Sequence, residues 1–228
     1  MNKKCCVVIS GAGISADSGI PTFRGAGGLW QGYNVNDVAT PEAFARDPQL
    51  VLDFYNQRRR DLRKVHPNPA HYALSELETG YDVRIITQNV DDLHERAGSS
   101  SVLHLHGELT KVRSCKNENT ILQWDGDLSL DDYGPDGAPL RPHIVWFGEA
   151  VPAFAEAVSI VSSAKIVIVT GTSLQVYPAA SLLDYAPYSA RCFLVDPQPA
   201  GTNRKIKVIA KKAKDGIPEL VEQLLAEV

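Results

Sequence analysis

The chain has 228 residues, 44% of them hydrophobic and 22% charged, enough apolar material for the core of one large domain or two small ones. Disorder and collagen-like repetition are thereby excluded. With 23 Lys+Arg against 27 Asp+Glu, the net charge of -4 gives no general attraction to nucleic acid or anionic lipid and leaves room only for a local basic patch.

Lys3-Lys4 precede an apolar run too short for a secretory signal, and no later segment approaches a membrane span, so a soluble, cytoplasmic protein is expected. Val7-Val8-Ile9 is a β-branched run that stops at Ser10-Gly11, the pattern of a parallel strand buried on both faces. Gly11-Ala12-Gly13-Ile14-Ser15-Ala16 follows it. Two glycines there allow a tight turn and let a dinucleotide pyrophosphate approach backbone N–H groups, although strand-to-helix turns use glycine for purely steric reasons about as often. Asp17-Ser18-Gly19-Ile20-Pro21-Thr22-Phe23-Arg24-Gly25 then breaks any helix, and no second strand ends in the acid that an adenosine ribose would need. A hydride-transfer Rossmann enzyme is disfavoured.

Thr40-Pro41-Glu42 is a good helix start, and a charged helical segment runs on to Lys64. Tyr55 and Arg58 share one face of it, where a guanidinium fork beside a phenol can take a carboxylate. Against that, Arg58-Arg59-Arg60 is a charge run, and such runs are usually a solvated face. Asn68 to Leu77 reads as a helix and Val83-Arg84-Ile85-Ile86-Thr87 as a second buried strand. At its carboxyl end, where open α/β sheets place ligands, Thr87-Gln88-Asn89-Val90-Asp91-Asp92-Leu93-His94 gathers amides and carboxylates suited to ribose hydroxyls and a carboxamide. An Asn/Asp helix cap explains one or two of these residues, but not Gln88, Asn89 and Asp91 together.

Val102-Leu103-His104-Leu105-His106-Gly107 alternates, so both histidines project from one face of a strand. The pair has metal-ligand spacing, yet no third ligand is evident nearby, and a lone strand histidine is usually structural. Gly107 ends the strand and exposes His106 at the sheet edge, which favours a general base with an ordinary pKa of roughly 6.5. Leu109 to Arg141 is polar and turn-rich, with Asp125-Gly126-Asp127 and Gly134-Pro135-Asp136-Gly137. Val145-Trp146-Phe147-Gly148-Glu149 reads as a short apolar strand, either buried or pairing with an extended peptide through its backbone.

A helix from Val151 to Ser162, strands Ile166–Thr170 and Cys192–Val195, and an amphipathic helix over Pro218 to Glu227 complete an α/β pattern with a Rossmann-like parallel sheet flanked by helices. The reading is a single domain, 1–228: a large lobe from 1–39, 67–108 and 142–228, and a small inserted lobe from 40–66 and 109–141. Cys5, Cys6, Cys115 and Cys192 form no C-x-x-C pair, and those in the strands look like small core residues in a reducing compartment.

Taken together, Gly11-Ala12-Gly13-Ile14-Ser15, Gly19 to Gly25, Thr87 to His94, His106-Gly107, Val145 to Glu149 and Gly171-Thr172-Ser173 resemble the sirtuins, the NAD-dependent protein lysine deacylases, in order and spacing over almost the whole chain. The resemblance implies that Ala12, Phe23 and Arg24 lie near the phosphates and nicotinamide ribose of NAD. It puts Gln88, Asn89 and Asp91 around the ribose and carboxamide, and Gly171, Thr172, Ser173, Asp196, Pro197 and Gln198 on the adenosine side. Gly11, Gly13, Ser15, Asp17, Thr22, Trp30 and Ala213 complete the implied cofactor set, with His106 as base and Asn89 beside it in catalysis. Val145, Phe147, Gly148 and Glu149 would receive the acyl-lysine peptide, and the implied products are free lysine, nicotinamide and an acyl-ADP-ribose.

Tyr55 and Arg58 resemble the Tyr-x-x-Arg pair of the branch that removes succinyl and malonyl groups. The chain departs from the family in keeping only Cys115 where sirtuins usually carry two C-x-x-C zinc pairs, so no zinc is expected, with Trp124 and Tyr133 buried in its place. Asp196 stands where many relatives have asparagine, a change that should alter NAD affinity without abolishing binding. Expected partners are acyl-lysine proteins or peptides, with no nucleic acid or membrane, on a monomer. The alternatives are ADP-ribosyl transfer or NAD hydrolysis in the same pocket, or an NAD-sensing module without turnover.

Overall fold

A computed structural model describes residues 3–22, 29–30, 32–172, 177–199 and 205–228, with backbone alone at 29 and 30. At its centre is a six-stranded parallel sheet; the short antiparallel pair β2 (Leu29–Trp30) and β3 (Tyr33–Asn34) and the one-turn helix α5 (Leu93–Arg96) lie apart from it. Strand β1 (Cys5–Ser10) has β4 (Asp82–Thr87) and then β5 (Val102–His104) on one side. On the other lie β9 (Ile166–Thr170), β10 (Arg191–Val195) and β11 (Lys207–Ile209). The four strands expected from apolar runs are all present. β11 was not anticipated, because Lys207-Val208-Ile209 is short and half polar.

Alternate residues of β1 enter two separate cores. Cys6 and Val8 pack with Ile85, Ile168 and Phe193 beneath α4 (Pro69–Leu77) and α7 (Ala213–Leu225). Val7 and Ile9 pack with Ile86, Val167, Val169 and Leu194 beneath α6 (Phe154–Ser162). Both faces are covered, which is why these strands read as unbroken β-branched runs. Helix α7 begins at Ala213, five residues before the expected start. Ala213, Gly216, Ile217, Leu220, Val221 and Leu224 form one buried stripe, and its burial outweighs the single ladder bond lost at Pro218.

The segment expected as one helix from Thr40 to Lys64 is two, α2 (Pro41–Arg46) and α3 (Pro48–Leu62), preceded by α1 (Val35–Val38). Pro48 forces the preceding residue out of the helical region, and Asp47, at φ -146 and ψ 78, caps α3 through Leu50 N–H at 3.0 Å. Thr40 caps α2 in the same way through Ala43 N–H. The turn-rich stretch after residue 106 contains an antiparallel sheet, β6 (Gly107–Ser114) between β7 (Ile121–Gln123) and β8 (Leu140–Ile144).

The small sheet and α3 share a core of Leu52, Val112, Leu128 and Leu140. Trp124 only leans against that core, and Tyr133 is 59% exposed, so the expectation that both are buried fails: aliphatic side chains fill the space. Two loops of this sheet are tied by polar bonds. Ser114 Oγ donates to Asp136 Oδ2 at 2.6 Å and accepts from the backbone of Lys116 and Asn117, while Asp136 Oδ1 accepts from Ala138 N–H. Among the described residues, no cluster of three or more His, Cys, Asp or Glu is placed to hold a metal ion. Of the cysteines, Cys6 and Cys192 are core residues, Cys5 is half-buried and Cys115 is exposed. Burial pushes the Cys6 thiol up to about 12.

Arg59 joins α3 to the small sheet from a position 2% exposed, donating to Leu109 O at 2.8 Å, Asn56 Oδ1 at 2.8 Å and Gly126 O at 3.2 Å. Charge-assisted bonds of this kind contribute about 1.5–3 kcal/mol each. Because the cost of desolvating the guanidinium offsets much of their sum, Arg59→Met should destabilise the protein by about 2–3 kcal/mol and lower the unfolding midpoint by roughly 5–10 °C, read by calorimetry or circular dichroism. A shift within about 1 °C would show that the bonds contribute nothing net.

Candidate active site

Parallel pairing brings the ends of three neighbouring strands level: Ser10 stands opposite both Thr87 and Thr170. The chain reverses its winding direction beside β1, and open sheets bind ligands at that point, outside the carboxyl ends of the strands. A cavity of about 780 Å³ opens there, within the range of small-molecule and cofactor sites. Gly13 N–H donates to Gly171 O at 2.8 Å, and a side-chain carbon at Gly13 would stand 2.7 Å from Gly171 Cα. Glycine is needed here for the close contact between two loops.

Gly11, Ala12, Gly13 and Thr22 line the cavity from the loop after β1, and Gln88, Asn89 and Asp91 from the loop after β4. Gly171 and Thr172 follow β9, and Asp196, Pro197 and Gln198 follow β10, on the same wall. Ser15 is buried beside Asn89 and Asp91. Asp17 faces Lys212 at 3.1 Å and Lys214 at 3.5 Å, and Ala213 is buried at the start of α7. Phe23, Arg24, Ser173 and the side chain of Trp30 lie outside the described residues.

Asn89 and Asp91 are about 5% exposed and held by a closed set of bonds. Asn89 Nδ2 donates to Ser15 Oγ and Ser15 Oγ donates to Asp91 Oδ2, both at 3.1 Å. His71 Nδ1 accepts from Asn68 N–H at 3.2 Å, so the ring carries its proton on Nε2, which faces Ser15 Oγ at 3.5 Å. Burial holds the His71 imidazole down to about 4, fixing it neutral, and pushes the Asp91 carboxyl up to about 6 against the bonds from Leu93 N–H and Ser15. A second buried chain runs from His94 Nε2 through Ser10 Oγ to Thr87 Oγ1, which accepts Asn89 N–H at 3.1 Å. The backbone of Asn89 is thus fixed from beneath.

The two histidines of the alternating run part company. Strand β5 ends at His104, and Gly107 opens β6 at φ +81, where a side-chain carbon would meet His143 O at 2.0 Å. His106 lies in the bend between them and lines the cavity. Its Nδ1 stands 3.0 Å from Gln88 O, an acceptor only, so Nδ1 carries the proton and Nε2 keeps its lone pair. Burial holds this imidazole below its ordinary value, against the raising effect of that bond. His104 bridges Asn89 O at 2.9 Å and Glu95 Oε1 at 2.7 Å; burial pulls it down, but the Glu95 carboxylate wins and raises it. One histidine is a neutral base in a cavity, and the other is half of an ion pair.

The opposite wall comes from α3 and the segment after β8. Tyr55 and Arg58 both line the cavity and are 0% and 7% exposed; with Arg59 buried too, only Arg60 of the Arg58-Arg59-Arg60 run is on a solvated face. Burial lowers Arg58 to about 10, which leaves it charged at neutral pH. Leu62 continues the same helical stripe, a spacing that could have found it in the sequence, and Val65 lines the cavity from just beyond the end of the helix. Val145, Phe147, Gly148 and Glu149 line the cavity too, but they form no strand. β8 stops at Ile144 because Phe147-Gly148 turns, closed by Glu149 N–H on Trp146 O at 3.0 Å. Missed in the sequence was Trp146, whose indole N–H donates to Tyr55 Oη at 3.0 Å.

Comparison with known proteins agrees with this geometry. The profile of the Sir2 family matches residues 11–178. An NAD-dependent protein deacylase of Helicobacter pylori is 54% identical over 224 residues, which are 97% of this chain and 96% of that protein. Another, from Aggregatibacter actinomycetemcomitans, is 58% identical over 197 residues, 86% of this chain and 95% of the other. The crystal structure of a Sir2 homologue in complex with NAD superposes with a TM-score of 0.88 at 39% identity, covering 99% of this chain and 91% of that one.

The contrast between the histidines is measurable by NMR titration of the imidazole carbons. His106 should titrate below roughly 6.5 and His104 above it, and Glu95→Gln should bring His104 down while leaving His106 in place. Coincident titrations would contradict the assigned environments.

Proposed function

The chain belongs to the Sir2 family and is an NAD-dependent protein-lysine deacylase, and we propose that it prefers lysines carrying succinyl or malonyl groups to those carrying acetyl. One observation carries the preference: Arg58 and Tyr55 are buried in the wall of the cavity that also contains His106. Around them the wall carries Leu62, Val65, Leu109 and Ile144, together with Asp61 and Asp91, whose charges act on Arg58 against its burial. A guanidinium held there is largely desolvated by burial, and it can give a planar carboxylate two charge-assisted bonds that an acetyl methyl cannot accept. The pair stands on a rigid helix, so the position of the fork is set before substrate arrives.

The residues present fit NAD. Gly11, Gly13 and Gly171 line the cavity with bare backbone that a phosphate can approach, and the buried amide and carboxyl of Asn89 and Asp91 suit a ribose and carboxamide. Asp196 to Gln198 would hold the adenosine side, where the Asp196 carboxylate can accept from ribose hydroxyls. When bound, NAD supplies a cleavable bond between ribose and nicotinamide together with the ribose hydroxyls that receive the acyl group. Asn89 orients what lies against it, because its amide is locked by Ser15. His106 Nε2 takes a proton from a hydroxyl brought within reach, and Gln88 O steadies the ring through Nδ1–H as charge develops. The peptide would lie against Val145, Phe147 and Gly148, on backbone groups near a turn instead of a strand edge.

Nicotinamide release from acetyl, malonyl and succinyl peptides is the test. The acidic acyl groups should be favoured by about 10-fold or more in kcat/KM, and Tyr55→Phe with Arg58→Met should cut desuccinylation by about 10–100-fold while deacetylation changes less than about threefold. Equal losses would remove the carboxylate clamp. His106→Ala should lower every deacylation by at least about 100-fold, and the acid limb of the wild-type kcat/KM profile should fall below pH of about 6.5, because the base stays neutral down to its lowered pKa.

A further inference from the structure

We propose that Trp146 is a specificity-positioning residue: its indole N–H fixes the Tyr55 hydroxyl so that the phenol proton is presented to the acyl carboxylate. This rests on the acidic-acyl reading. Both rings are buried at the cavity wall, 2% and 0% exposed, with Nε1 3.0 Å from Tyr55 Oη. An indole N–H only donates, so the phenol oxygen must accept, and its single O–H is left to point elsewhere. Burial keeps the phenol protonated far above neutral pH. Beside it stands Arg58, so a carboxylate would meet a cation and an aimed hydroxyl together.

The indole is itself clamped. Arg141 lies over it, its guanidinium carbon 3.3 Å from the ring centroid, and Phe44 approaches at 5.2 Å. Arg141 in turn forks onto Glu149 at 2.7 and 3.2 Å and donates to Ile144 O at 3.0 Å. Glu149 Oε2 also accepts the backbone N–H of Trp146 at 2.8 Å, and Arg113 reaches the same carboxylate at 3.3 Å. One carboxylate therefore fixes both the backbone of Trp146 and the cation stacked on its ring. Burial pushes Glu149 up, but these donors win and hold it ionised below the usual carboxylate range. The sequence suggested that Glu149 touches substrate; its bonds assign it to this clamp.

Trp146→Phe keeps a stacking ring and removes only the donor. For a succinyl peptide KM should rise about 3–10-fold, as expected for one neutral hydrogen bond, with kcat and deacetylation within about twofold of wild type. In a Tyr55→Phe background the same substitution should add less than about twofold, because the bond is already gone. Arg141→Lys, which keeps the charge and loses the planar stack, should shift KM in the same direction and serves if Trp146→Phe folds poorly. Equal loss of desuccinylation and deacetylation, or full additivity with Tyr55→Phe, overturns the proposal. A wild type that favours acetyl over succinyl overturns the underlying acidic-acyl reading and this with it. A wild type that favours succinyl beside an unaffected Trp146→Phe overturns only the role of Trp146.

Discussion

Everything at the site depends on the level at which three parallel strands end. Ser10, Thr87 and Thr170 stand side by side, and the chain leaves the sheet after each of them at the same height. Hydroxyls hold that level: Ser10 Oγ donates to Thr87 Oγ1 at 2.9 Å and takes His94 Nε2 at 3.0 Å, with all three residues buried. From this row Gly11, Gln88 and Gly171 start the loops that line the cavity. A slip of one residue in any strand would turn its apolar side chains to the wrong core and withdraw its loop from the site.

Above the sheet the site is completed by a second construction built on different physics. Helix α3 places one stripe on the cavity and another on the small sheet, and its consecutive arginines divide that work. Arg58 faces the cavity, Arg59 is buried against carbonyls of the small sheet, and Arg60 pairs with Asp127. Desolvating two neighbouring guanidiniums is costly. It is sustained for Arg59 by three oriented acceptors, and for Arg58 by the helix that Arg59 anchors.

The electrostatics divide the titratable groups by task. His71 and His94 are held neutral by burial and act as fixed donors beneath Asn89. Glu95 biases His104 toward its charged form, and His106 is left as the base in the cavity. The separation follows from one backbone feature, the bend at 105–106 before Gly107, which takes His106 off the strand on which His104 remains.

Much of this was legible in the chain. The β-branched runs gave the sheet because both its faces are covered, and Gln88-Asn89-Val90-Asp91 and His106 stood out because too many polar groups met one strand end. The Tyr55 and Arg58 spacing put both on one helical face. What sequence by itself determined was local: period, caps and the chemistry of strand ends, all set by neighbours within a few residues. Tertiary structure alone decided which arginine of a run of three faces a ligand, that Trp146 reaches Tyr55 across 91 residues, and that Glu149 binds Arg113 and Arg141. Those pairings join residues from separate elements, and burial, which fixes both their geometry and their charge, exists only once the elements have packed.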